Sequence, residues 1–265
     1  MPDTVTPNAP EDPINDTPMP LLAHLTELRT RLLWSMVAFI ACFAVCYFFS
    51  RNIYSFLAQP LADILITQGA NRRLIYTALY EAFFTYLKVA FFGAAFLSFP
   101  FVATQIYMFV APGLYRSEKR AFLPFLLATP VLFVGGAALA YYFVFPAAWK
   151  FFLSFESIDG GGGLPVQLEA KVSEYLGLVM KLIFAFGLAF QLPVLLTLLA
   201  RVGIITVAQM KKYRRYAYVG MFIIAAVITP PDVITMTGLA VPLIVLYEIS
   251  ILMAGWVQPK PVIDA

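Results

Sequence analysis

The chain has 265 residues, of which 61% are apolar, 16% aromatic and only 12% charged, with a mean hydropathy of +0.82 and a net charge of +3. Ordinary globular domains carry about 25% charge and about 45–50% apolar residues, so this composition excludes a water-soluble domain. The apolar runs are continuous rather than alternating, which excludes a β-barrel and leaves an all-α polytopic membrane protein, because lipid cannot satisfy stray backbone groups.

Residues 1–20 hold six prolines and four acids (Asp3, Glu11, Asp12 and Asp16) with no base. That is the opposite of a basic signal-peptide start and predicts a disordered cytoplasmic tail. The membrane domain is expected over 21–257, with a short cytoplasmic C-terminal tail over 258–265. Leu21, Leu22, Leu25, Leu28 and Leu32 recur at helical spacing, so an amphipathic helix feeds into the first span, Leu32 to Phe49. Ser50-Arg51-Asn52 ends that span. Cys42 and Cys46 lie four apart within it and are expected to pack as small hydrophobes. No cysteine–histidine cluster offers a metal site, and no cofactor is expected.

An outward loop follows, Ser50 to Ala82, with a turn at Gln59-Pro60-Leu61. The second span runs from about Phe83 to Val110, with Lys88 near its start and a kink expected at Pro100. The third is Phe122 to Phe145, closed by Pro146. The second outward loop, Pro146 to Glu174, carries four glycines at 160–163 without the Lys-Ser/Thr of a phosphate loop. The fourth span is Tyr175 to Ala200, the fifth Tyr216 to Ile228 and the sixth Val233 to Trp256, interrupted by Pro242. The last two are expected to be short. The fifth, at 13 residues, covers about 20 Å against a lipid core of about 30 Å, leaving Arg214 and Arg215 to snorkel across the mismatch. Thr229-Pro230-Pro231-Asp232 makes the tight turn between them, with Asp232 as the N-cap of the sixth helix.

Charge sets the expected orientation. With the N-terminus in the cytoplasm, that side holds Arg29, Arg31, Arg116, Lys119, Arg120, Arg201, Lys211, Lys212, Arg214, Arg215 and Lys260, which is eleven bases. The other side holds five: Arg51, Arg72, Arg73, Lys150 and Lys171. The bias predicts both termini in the cytoplasm. The cytoplasmic loops are too short for a soluble catalytic domain, and no nucleophile–base spacing or nucleotide motif occurs, so the chain reads as a non-enzyme.

Three groups of polar residues invite function. His24, Glu27 and Arg31 share the polar face of the first helix. They fit either an i,i+4 pair worth about 0.2–0.5 kcal/mol or a carboxylate at the membrane boundary that receives a cationic ligand. In APGLYRSEKRAF (111–122), Glu118 sits among Arg116, Lys119 and Arg120. It reads either as part of a solvated basic loop or as a second carboxylate able to accept a guanidinium fork. Gln191, Glu248, Lys88 and Lys181 fall within spans. The glutamine suits a bond to a neighbouring helix, Glu248 faces a neighbour or titrates, and the lysines snorkel. A small-solute secondary transporter would also explain such residues, but no matched halves are visible.

Read together, HLTELRTRL (24–32), Gln59-Pro60-Leu61, FPFVATQIYMFVAPGLYRSEKR (99–120), FVFP (143–146), FQLPV (190–194) and TPPD (229–232) resemble the TatC family, the polytopic core subunit of the twin-arginine protein translocase. The motifs fall in order and cover about 20–260. The resemblance implies a cupped array of six helices in the bacterial cytoplasmic membrane that translocates folded proteins independently of the Sec route. It implies that Glu27 and Glu118 receive the consecutive arginines of a signal peptide, with Leu25, Arg29 and Phe109 shaping the site. It further implies TatA- and TatB-type single-span partners, self-association, use of the proton-motive force, and no nucleic acid. Some relatives carry glutamate within FQLPV; this chain has Gln191, which departs from that pattern and keeps only the hydrogen-bonding role.

Overall fold

A computed structural model describes residues 21–67, 74–110, 123–157, 164 and 167–257. The expected terminal tails, 1–20 and 258–265, lie outside these residues, as do the glycine run 160–163 and the loop 111–122. The described residues are mainly helical, joined by turns and short irregular segments, and Ile75 and Lys171 form an isolated parallel bridge.

Helix α1 runs unbroken over Leu21–Phe48, so the amphipathic segment and the first span are one element. It packs along α3, Glu81–Val110. A Cβ placed on Gly93 of α3 would come within 3.2 Å of the Cys46 sulfur, so the glycine seats that thiol. Among the described side chains of α1, Cys46 is the one hydrophobic residue that is buried. Leu25, Leu32, Trp34, Val37 and Ile40 all point out. In a bilayer such a face meets lipid or another helix, because lipid drives no burial of its own.

The segment between the first two spans contains a helix that apolar runs alone did not reveal. Helix α2 spans Ser50–Thr67 with Pro60 in its interior, so Pro60 is not the turn expected from Gln59-Pro60-Leu61. A proline there removes one N–H and displaces the carbonyl four residues earlier. A replacement donor comes from elsewhere in the fold: Tyr141 donates to Phe56 O at 2.7 Å, and Tyr175 donates to the next carbonyl, Leu57 O, at 3.0 Å. Burial of Leu57 and Leu61 holds the helix against the core.

The third span does not close at Pro146. Helix α4, Leu123–Leu139, widens into a π turn, Ala140–Val144, and continues as α5, Phe145–Leu153. Phe145 N–H donates to Ala140 O, five residues back, and Pro146 falls in the first turn of α5. The missing N–H of a proline costs nothing in a first turn, and the wider turn absorbs the change of register.

The fourth span is broken where it was expected to be continuous. Helix α6, Val172–Ala189, stops at Phe190, and α7, Leu192–Arg201, begins after Gln191 with Pro193 in its first turn. Gly136 of α4 lies so near α6 that a Cβ there would sit 2.4 Å from Phe186 O, and one on Gly187 would sit 2.6 Å from the Phe133 ring. Small residues thus let α4 and α6 approach closely.

After α7 the chain turns at Gly203, φ +80°. Ile204 N–H donates to Leu199 O and Gly203 N–H to Ala200 O, at 3.0 and 3.2 Å, which is the Schellman pattern that favours glycine. Two helices follow: α8, Val207–Lys212, opened by a Thr206–Gln209 capping box, and α9, Arg214–Ile228. The 15 residues of α9 reach about 22 Å, so this span is short as expected. The sixth is not: α10, Val233–Val257, has 25 residues and continues through Pro242, about 37 Å at 1.5 Å per residue. Five spans, on Leu25–Phe48, Glu81–Phe109, Phe125–Leu153, Val172–Arg201 and Val233–Val257, are long and apolar enough to cross a membrane. The core gathers Phe145, Phe186, Leu182, Leu239 and Ile251, with α10 packed on α7 and α5, and α4 packed on α6.

Candidate functional site

Glu27 sits two turns into α1, with only 23% of its side chain exposed. Arg31, one turn on, donates from Nε to Glu27 Oε1 at 3.0 Å, and its terminal nitrogen closes on the same oxygen. The carboxylate therefore already holds a guanidinium, the chemistry an incoming arginine would use. Leu25 and Arg29 flank it on the exposed face of the helix. Phe109 lies half-buried in the last turn of α3. Glu118 falls within 111–122, outside the described residues. His24 lies in the first turn of α1.

Within the membrane, Gln191 occupies the break between α6 and α7. Its Nε2 donates to Thr129 O of α4 at 2.9 Å, while Oε1 is buried without a partner. Thr129 Oγ1 donates to Phe125 O at 2.9 Å and lies 3.1 Å from the Tyr107 hydroxyl of α3. Tyr107, Thr129 and Gln191 thus link three helices. Tyr107 and Thr129 carried no signal in the sequence, since hydroxyls on apolar helices are common and backbone acceptors have no signature. The arrangement holds helices together and offers no charged relay.

Glu248 of α10 does face a neighbouring helix. Arg214 donates to its Oε2 at 2.7 Å and Tyr218 to its Oε1 at 2.6 Å, both from α9. Tyr247 donates to Met210 O of α8 at 2.8 Å, tying the same end together. Lys88 and Lys181 are exposed on their helices. At the other end of α9, Asp232 Oδ1 accepts from Thr235 N at 2.7 Å, while its second oxygen takes the Thr235 hydroxyl. That is N-cap geometry. Pro230 and Pro231 form the turn before it.

A carboxylate that sequence reasoning passed over joins the segment before α3 to the start of α6. Glu81, buried at the start of α3, accepts from Thr77 N at 2.9 Å through Oε2 and from the Ser173 hydroxyl at 2.6 Å through Oε1. The backbone bridge beside it, Ile75 N–H to Ala170 O and Val172 N–H to Ile75 O, runs in the same sense. Among the described residues, no group of three His, Cys, Asp or Glu side chains is placed to hold a metal.

Comparison with known proteins gives these positions a context. Residues 23–242 match the family described as "Sec-independent protein translocase protein (TatC)". A protein of that name from Magnetococcus marinus is 48% identical over 91% of this chain and 86% of its own length. One from Rickettsia prowazekii is 47% identical over 89% of this chain and 92% of its own. The crystal structure of the "Twin Arginine Translocase Receptor- TatC" superposes with a TM-score of 0.73 at 36% identity, covering 88% of this chain and 99% of that one. The chain therefore belongs to the TatC family of Sec-independent protein translocase proteins, a non-enzymatic transport family, and is a multi-pass helical protein of the bacterial inner membrane.

Proposed function

We propose that this chain is the receptor subunit of a twin-arginine translocase, with Glu27 and Glu118 taking the two signal-peptide arginines and Leu25, Arg29 and Phe109 shaping the site. The observation that carries this reading is the Glu27–Arg31 contact, a half-buried carboxylate already shaped around a guanidinium. The placement of the residues supports it. Spans fall on Leu25–Phe48 and Glu81–Phe109 with none between them. A chain that leaves the bilayer after the first and re-enters with the second brings Phe109 to the face where Glu27 lies.

The same face is cytoplasmic, as the bias of eleven bases to five supports, and both termini lie there. Folded precursors dock at it, TatA- and TatB-type single-span subunits assemble around the chain and further copies of it, and the proton-motive force drives passage. The solved relative named as a twin-arginine receptor agrees with this assignment.

Binding isotherms test it. A peptide with consecutive arginines should bind the reconstituted full chain, and a dilysine peptide should bind more weakly, because a point charge does not fill a bidentate acceptor. Glu27→Ala and Glu118→Ala should each weaken diarginine binding by about tenfold or more, the scale of a charge-assisted hydrogen bond. Glu→Asp at either position should cost less. Isotherms unchanged by both alanine variants would overturn the site.

A further inference from the structure

Four bases crowd the junction between α8 and α9: Lys211, Lys212, Arg214 and Arg215. They divide into two kinds. Arg214 turns inward to Glu248. Lys211, Lys212 and Arg215 are exposed, and none has a carboxylate partner among the described residues. Two exposed tyrosines alternate with them. Lys212 Nζ lies 5.8 Å from the Tyr213 ring centroid, and Arg215 lies 4.8 Å from that of Tyr216 while donating to its hydroxyl at 3.0 Å. Cations interleaved with amphipathic rings suit the depth where phosphates meet acyl chains.

The length of α9 adds an independent argument. Its 15 residues pack beside the 25 of α10. The polar start of the short helix is therefore drawn toward the bilayer interior relative to its long neighbour, and headgroups at that point must dip to meet it. A zwitterionic headgroup brings its own ammonium against three unneutralised cations. An anionic headgroup brings only negative charge. We propose that the α8–α9 junction is a docking surface for anionic phospholipid headgroups, with Lys211, Lys212 and Arg215 on the phosphate and Tyr213 and Tyr216 beneath it. These residues lie on elements other than α1 and α3, which carry Glu27 and Phe109.

The test uses the full chain in phosphatidylcholine bilayers doped with spin-labelled phosphatidylglycerol or phosphatidylcholine, reading the fraction of each lipid immobilised at the protein. The wild type should prefer phosphatidylglycerol. Removing Lys211, Lys212 and Arg215 together (K211Q/K212Q/R215Q) should erode that preference by about fivefold per base. Removing three exposed bases elsewhere (R51Q/K88Q/K150Q) should leave it largely intact. Equal loss in both triple variants would reduce the effect to net charge and overturn the site, as would no loss in either. Inorganic phosphate at millimolar concentration should not displace the labelled lipid. Displacement would make this a site for free phosphate and overturn the lipid assignment.

Discussion

The Tyr141 hydroxyl donates to the carbonyl of Phe56 at 2.7 Å, and Phe56 is the residue whose carbonyl Pro60 deprives of its helical donor. The two side chains also stack, with ring centroids 4.5 Å apart and planes 1° from parallel. Tyr175 donates to the next carbonyl, Leu57 O, at 3.0 Å. A proline that would break an isolated helix is accommodated here because Tyr141, in the π turn, replaces the donor that Pro60 removes. Tyr141→Phe should therefore lower stability by about 0.5–1.5 kcal/mol, the net worth of one hydrogen bond at a part-buried site. Pro60→Ala restores an N–H to that carbonyl and should shrink the effect of Tyr141→Phe. Thermal unfolding of the four proteins in detergent measures the coupling, and strict additivity would refute it.

Arg31 makes a prediction of opposite sign to the usual loss of function. It occupies Glu27 in the free chain, so an arriving arginine must displace it. An i,i+4 ion pair on a helix is worth about 0.2–0.5 kcal/mol. Arg31→Gln should then tighten diarginine-peptide binding by about twofold while leaving Glu27 in place. Weaker binding in that variant would show that Arg31 supports the site rather than competing for it.

Much of this was legible because lipid imposes long apolar runs, and the polar exceptions stand out against them. Glu27 and Gln191 were visible for that reason. Helix α2 was not, because its Arg51, Gln59, Pro60 and Asp63 give it the look of a loop. Its signal lay in apolar residues at helical spacing (Ile53, Leu57, Leu61 and Ile64), whose helical state depends on partners far along the chain. Pro146 looked like a stop because sequence does not announce a π turn that recasts it as a first-turn residue. The partner of Glu248 was equally hidden. Arg214 is 34 residues away and reads as a topology signal like its neighbours.

Gly203 offers a local test of the turn that follows α7. Its φ of +80° lies where an L side chain meets the backbone, at a cost of about 1–2 kcal/mol. No neighbouring atom lies within 4 Å of an added Cβ, so the cost in Gly203→Ala would be conformational and not steric crowding from neighbours. The melting temperature should fall accordingly. Gly220→Ala is the control, since that glycine is also open on all sides but lies within helix α9, where alanine is preferred by about 1 kcal/mol. If the two variants moved stability in the same direction, the strained-turn reading would be wrong.

Glu248 has both carboxylate oxygens engaged, one by Arg214 and one by Tyr218. The pair joins the start of α9 to α10 near the turn that presents Lys212 and Arg215. Its side chains are 43% and 35% exposed for Arg214 and Glu248, so solvent screens the attraction and the coupling should be about 1 kcal/mol. Glu248→Ala should still cost more than Glu248→Gln, because the amide retains an acceptor for the Tyr218 hydroxyl. Arg214→Met and Glu248→Ala combined should cost less than their sum, since each alone strands the other's partner. The exchanged pair, R214E/E248R, should recover part of the loss. Hydrogen exchange localises the effect: amides of α8 and the first turn of α9 should open faster in Glu248→Ala, with α1 and α3 unchanged. Uniform loosening of the whole bundle would mean that the contact supports global packing and does not pin this one junction.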